Sequence, residues 1–443
     1  MTWDKGGNYD VFNHFPLGQF YDVSYNMDIP YRVCGGLQDN GTWCGPSRRS
    51  GGGIDNHMWA TINGGDGFVT AQHPTDHDLV FAESQGGNMA RIDLGTGDRE
   101  GLQRPEWRDR YLEFEDSILV LWDDSTTTPP VDVQTRIDEF RRLQKADSAS
   151  KQFRWNWNTP FFLSEHDSNV FYAAANRVLK STALGDDLEV ISPDLTTQDP
   201  EKIRVSTQTT GGITPDVTGA ETHATITALA ESPLVPGMLF VGTDDGNVWT
   251  SPDDGGDWVE LTRRFSGLVP DSTYVSRIEP SHHDRDRFYV TFDNHRRDDF
   301  IPYVLVTDDG GGSFRSVGDG LPTDGPGFVH VVREDPTNPD LLFVGTDVAV
   351  YVSMDRGESW RRFDEGMPTV PVHDLRIHPR DRELVAGTHG RSIWIVDIAP
   401  LQELAGAPMV AATGAGGSSE TAAPGSPESE SESVSAPSAM ASR

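Results

Sequence analysis

No stretch of the 443 residues approaches the ~20 consecutive apolar positions that a membrane-spanning helix needs. The N-terminus lacks a basic region followed by an apolar one, so no export signal is visible in this chain. Lysine is scarce: Lys5, Lys145, Lys151, Lys180 and Lys202 are the whole complement, and the formal net charge is −33. That balance argues against nucleic acid and anionic membranes as partners, because both are repelled at long range. An acidic, lysine-poor chain fits adaptation to high salt, and fits equally an acidic tail encoded by a GC-rich genome. Zinc spacings of His and Cys, a Walker loop and a nucleophile elbow are all missing, and GGDG at Gly64 is a lone glycine turn. No cofactor or metal is expected.

What is abundant is aromatic residues and turn formers: 11 Trp, 20 Phe and 10 Tyr among 45 Gly and 29 Pro, the composition of many short strands joined by turns. One phrase, S/T-x-D-x-G-x-x-aromatic, occurs from Thr2, Ser251, Thr307 and Ser353, with Asp4, Asp253, Asp309 and Asp355 at its third position. The Asp and glycines suit a tight hairpin, and turn chemistry makes these four carboxylates structural. A phrase that returns at this spacing marks a repeat fold.

Each repeat divides into four strands, a to d. The clearest reads ITALAESP, MLFVGT, NVWTSP and WVEL from Ile226; others start at Phe20, Gly67, Thr159, Val275, Val329 and Val372. The last copy lacks a strand d, and residues Tyr9 to Phe12, just after the first Asp phrase, are positioned to supply it. The expectation is an all-β, seven-bladed β-propeller spanning residues 1–401, closed by its N-terminal strand pairing with the last blade. Insertions fall at about Arg104 to Arg154 and Asp194 to His223. The first contains VDVQTRIDEFRRLQKA, with Val131, Val133, Ile137, Phe140 and Leu143 spaced for one helix face. Residues 402–443, rich in Ala, Ser, Pro and Glu, read as a disordered acidic tail.

In such a blade the a–b and c–d turns lie on one face of the disc, while the b–c turns and d–a connections lie on the other. The first face is regular and reads as scaffold. The second carries both insertions and the polar decoration, so function is expected there. Its candidate binding residues are Gln38, Asp39, Asn40, Asp66, Arg177, Asp244, Asp245, His295, Arg296, His389 and Arg391, joined by Gln85, Arg297 and Asp347. Carboxylates, amides and guanidinium groups around a concavity suit a peptide or a glycan, with Trp155 and Trp157 available to stack on a sugar or to plug the core. If the chain hydrolyses glycosides, Asp39 and Asp66 are the nominated pair, since that chemistry uses two carboxyls roughly 5–10 Å apart. Cys34 and Cys44 flank a hairpin tip and could form a cross-strand disulfide, which points to an extracytoplasmic protein; two reduced thiols in a cytosolic one is the alternative.

Taken together, QFYDVSYNMDIPYRVCGGLQDNGTWCGPS, RWNWNTP, LFVGTDDGNV and VPVHDLRIHPRDRELVAGTHGRSIWIVD make the chain resemble the Asp-box (BNR repeat) propellers. The resemblance is to the C-terminal propeller of bacterial sortilin-like, Vps10-like proteins often labelled glycosyl hydrolases. It covers about Gly18 to Leu401, and implies a peptide- or glycan-binding module, usually exported, with a preceding propeller as possible partner. The alternatives it carries are a glycoside hydrolase, or the C-terminal half of one whose acids lie between two propellers, and an assembly scaffold.

Overall fold

In a computed structural model, the structure describes residues 2, 4–8, 17–51, 53–102, 134–138, 141, 153–208, 214–217, 221–363 and 365–405. The strands form seven antiparallel meanders, six of four strands and one of three, each in chain order. This is the expected seven-bladed propeller. Inner strands a are Phe20–Tyr25, Gly67–Gln72, Phe161–Leu163, Ile226–Glu231, Tyr274–Pro280, Val329–Glu334 and Val372–His378, for blades 1 to 7.

The blades hold together through apolar clusters between neighbours. Phe240, Val248, Val275 and Phe288 fill the space between blades 4 and 5, and Val304, Val329, Leu342 and Tyr351 that between 5 and 6. The repeated VGT phrase explains how close the blades come. A Cβ on Gly345 would stand 2.6 Å from the Val372 carbonyl oxygen of the next blade, and one on Gly36 2.2 Å from the Phe68 nitrogen. Between blades 1 and 2 lie two small apolar clusters, and Cys34 and Cys44 belong to one of them. They pair across strands b and c as a disulfide.

The Asp phrase folds alike in all four copies. Its Ser or Thr hydroxyl donates to the Asp Oδ1, at 2.9, 3.2, 2.8 and 2.7 Å for Asp4, Asp253, Asp309 and Asp355. The amide four residues after each Asp donates to the same carboxylate at 2.8 or 2.9 Å. These carboxylates are spent on their own turns.

Blade 7 has three described strands, and the closing strand expected from residues 9–12 lies outside the described residues, as do most of the first insertion and the tail beyond residue 405. Of that insertion's expected helix, residues 134–138 are helical and Ile137 is buried. Among the described residues the ring closes between blades 7 and 1 by an apolar cluster that includes Val23, Val33 and Val385, and by polar contacts. Arg376 donates to Asp22 at 3.1 Å, Tyr31 to Glu383 at 2.8 Å, and Arg380 to the Met27 and Asp28 carbonyls at 2.6 Å. The ordered fold also runs past residue 401: Ala399–Leu404 is a helix whose buried Gln402 donates to Asp335.

Candidate functional site

Channel-facing positions alternate along each inner strand. In blades 5, 6, 7 and 1 these positions hold Arg277 and Glu279, Arg333, Asp374 and Arg376, and Asp22. In blades 2 and 4 the matching positions hold Val69 and Ala71, Ala228 and Ala230. Small side chains on one side, opposite long charged ones, leave a cavity of about 630 Å³, lined by inner strands of all seven blades. Its rim comes from the a–b turns, including Met27, Pro74, Glu165, Pro233, His282, Pro336 and Pro379. The cavity therefore opens on the face that the sequence marks as scaffold, not on the decorated one. A volume in this range suits a small ligand or the end of a longer one.

The charged wall is a shared lattice. Asp374, fully buried, accepts from Arg277 at 3.0 Å, Arg333 at 2.9 Å, Arg376 at 3.0 Å and the Val23 amide at 3.3 Å. Arg333 also donates to Glu279 at 2.7 Å. Burial works to raise the Asp374 carboxyl, but the three guanidinium groups outweigh it and hold the group below the usual carboxylate range. Asp22 is pushed up to about 7 by burial and by Asp374 beside it. The anions sit behind the cations: the Asp374 and Asp22 side chains are 0% and 3% exposed, against 25% for Arg277 and 31% for Arg376. Arg277, Arg333 and Arg376 line the cavity together with the carboxylates Asp22, Glu279 and Glu334, and Arg277 and Arg376 are the more exposed of the paired groups.

At the opposite end of the inner strands, rings line up around the channel mouth. Trp157, Phe68, Tyr21, His389, His373, His330, Phe328 and His295 follow one another with centroids 4.3–5.1 Å apart. Tyr21 donates to Gln38 Oε1 at 3.0 Å, and burial, with Asp66 and Asp39 nearby, raises its phenol. Burial and the flanking His330 and His389 push His373 well below the ordinary imidazole range.

The nominated residues divide. Gln38, Asp39, Asn40, Asp66 and Gln85 are brought together: Asp66 Oδ1 accepts the Asp39 amide at 2.7 Å, Gln85 Oε1 accepts the Asp66 amide at 2.9 Å, and Asn40 donates to the Gln38 carbonyl at 2.8 Å. These bonds bind turn to turn, and the Asp66 carboxylate is engaged in them. Asp244 and Asp245 are engaged within the protein. Asp244 accepts from the Thr225 amide and hydroxyl, at 2.9 and 2.8 Å, and its side chain is 6% exposed. Asp245, 3% exposed, accepts from Thr197 and Thr243. Their DDG turn is used to pin the second insertion, which includes the helix Pro200–Gln208. His295 binds Asp293 at 2.7 Å, Arg296 binds Glu221 at 3.0 Å and lies over Tyr274, and Arg297 reaches Asp216 at 3.2 Å. Arg177 donates to the Ser192 carbonyl at 3.4 Å, Asp347 meets His330 at 3.4 Å, and Arg391 is exposed. Trp155 packs beside Gly87 in the cluster between blades 2 and 3, whereas Trp157 joins the ring belt. Among the described residues no group of His, Cys, Asp and Glu has the arrangement of a metal centre, and no helix is long and apolar enough to cross a membrane.

The sequence reading missed Arg277, Arg333, Arg376, Asp374 and Asp22, together with Tyr21, His330 and His373. Their signal is charge inside otherwise apolar inner strands, as in VSRIEP, VHVVREDP and VHDLRIHP.

No protein-family model matches the chain, and no curated protein matches it in sequence. Solved structures do match. The GH74 xyloglucanase from Xanthomonas campestris superposes with a TM-score of 0.54 at 14% identity, over 86% of this chain and 52% of that one. The likeness is one of fold. An ancestral GH74 enzyme gives 0.51 at 11% identity, over 85% and 44%, and YCF48 from Cyanidioschyzon merolae gives 0.50 at 10%, over 86% and 95%. The chain spans about half the length of the GH74 enzymes it matches. The propeller part of the resemblance stands.

Proposed function

We propose that this chain is a ligand-binding propeller that receives part of a peptide or glycan in its central channel. The observation that carries the reading is the cavity of about 630 Å³ with Arg277, Arg333 and Arg376 among the carboxylates Asp22, Glu279 and Glu334 on one wall and Val69, Ala71, Ala228 and Ala230 on the other. Arg277 and Arg376 donate to ligand oxygens, whether carbonyl, hydroxyl or carboxylate, while the small-residue wall takes an apolar side chain or the carbon face of a sugar ring. The disulfide is compatible with an extracytoplasmic setting, and that location belongs to the proposal.

The test is calorimetric titration of the purified chain with cellotriose, trigalacturonate and the peptide Ala-Ala-Ala. Binding of any of them that weakens about tenfold or more in Arg277→Gln supports the reading. Binding that Arg277→Gln leaves unchanged refutes it.

Half of a glycoside hydrolase is the second reading, favoured by the match to about half of the xyloglucanase. Its test is product analysis on xyloglucan oligosaccharides, with Asp39→Asn and Asp66→Asn as controls. An assembly scaffold is third.

A further inference from the structure

At the channel mouth on the decorated face three imidazoles pack close together. His373 stacks on His389 with centroids 4.3 Å apart and planes within 4°, and lies 4.3 Å from His330 with the two planes tilted by 40°. Tyr21 caps the column 4.8 Å from His389. The column thus spans blades 6, 7 and 1, across the seam where the ring closes. His389 Nδ1 is buried without a partner.

We propose that the His330–His373–His389 column is an acid-released stopper of this mouth. Stacking at this distance holds only while the rings are neutral, because two imidazolium charges in contact repel by more than thermal energy even where water screens them. The surroundings set the balance. Arg277 below and His295 beyond Phe328 oppose protonation of His373. The Phe20 carbonyl and Asp347 favour it at His389, and Asp347 also faces His330. Asp39, Asp66 and Glu221 lie around Tyr21, and Asp293 is held by His295. Burial lowers His389 as it lowers His373. Both groups therefore support the fold fully above the free-imidazole range near 6.5, and that support is lost as pH falls toward their depressed folded values. Once two rings charge, the column parts, Tyr21 leaves Gln38, and the channel opens on its second face.

The experiment uses the full chain carrying 3-fluorotyrosine, with the Tyr21 fluorine resonance assigned by its absence in Tyr21→Phe. The soluble nitroxide TEMPOL reports its exposure by line broadening between about pH 7.5 and 5. The expected result is several-fold stronger broadening of Tyr21 in acid in the wild type, and no acid increase in His373→Phe, which keeps the stack without the charge. His373→Gln serves the same purpose if the phenylalanine variant does not fold. A second readout is the folded-to-unfolded ratio, which in the wild type falls ~tenfold more per pH unit for each imidazole held neutral than in the variant. Equal Tyr21 broadening at both pH values, or acid broadening that persists in the variants, overturns the proposal.

Discussion

Asp374→Asn removes the anion on which the charged wall of the channel converges, and the structure sets the size of the effect. The wild-type carboxylate is fully buried and accepts from three guanidinium groups at 2.9–3.0 Å, besides the Val23 amide. Removing one partner of a buried ion pair costs about 3–5 kcal/mol, because the charge left behind stays desolvated. Three cations sharing one anion argue for the upper end. Two compensations argue for the lower. Arg333 keeps Glu279 at 2.7 Å, and Asp22, whose carboxyl is held up by burial and by the Asp374 charge, ionises once that charge is gone and holds Arg376 at 3.1 Å. The asparagine oxygen also still accepts one bond. The net expectation is a loss of about 3 kcal/mol. Urea unfolding at neutral pH, followed by tryptophan fluorescence, reads this as a lower midpoint at unchanged slope. A loss below about 1 kcal/mol would refute the reasoning, since that is the size of an exposed ion pair.

Further predictions bear on other parts of the molecule. Asp22→Asn mimics the protonated form that the wall favours. Because its folded carboxyl sits at about 7, above the free value, the wild type loses this group's stabilisation as pH rises through 7, and a urea series from about pH 5 to 8 should be flatter in the variant. Gly36→Ala puts a methyl 2.2 Å from the Phe68 nitrogen, where backbone must move, and should destabilise by about 3 kcal/mol in the same assay; a change below 1 kcal/mol counts against such close blade packing. Replacing both Cys34 and Cys44 with Ala opens a loop with a sequence separation of 10, and chain entropy gives a loss of about 3 kcal/mol; an unchanged midpoint argues that the thiols are not paired.

Much of the fold was legible in the chain. Apolar runs such as LFVGT recur, and glycine and aspartate mark the turns, so the strands stand where the repeats place them. The site was less legible because its geometry depends on separate blades. Asp244 and Asp245 read as decoration of the loop face, yet the second insertion folds back on Asp245 and both carboxylates are buried. Decoration drew attention to the loop face, while the cavity arises from small residues in ITALAESP and GFVTAQHP facing arginines in three other repeats. No local pattern states which repeats face one another across a ring. The arginines within inner strands were visible, and their rarity in apolar strands was the available signal.

The most direct test sets two variants side by side in titrations with whichever of cellotriose, trigalacturonate or Ala-Ala-Ala binds. Ala230→Trp fills the cavity, and Arg391→Ala removes an exposed charge from the loop face. A binding site in the channel predicts at least about a tenfold loss in Ala230→Trp and no change in Arg391→Ala. Unchanged binding in Ala230→Trp with a loss in Arg391→Ala contradicts it and returns the site to the decorated face.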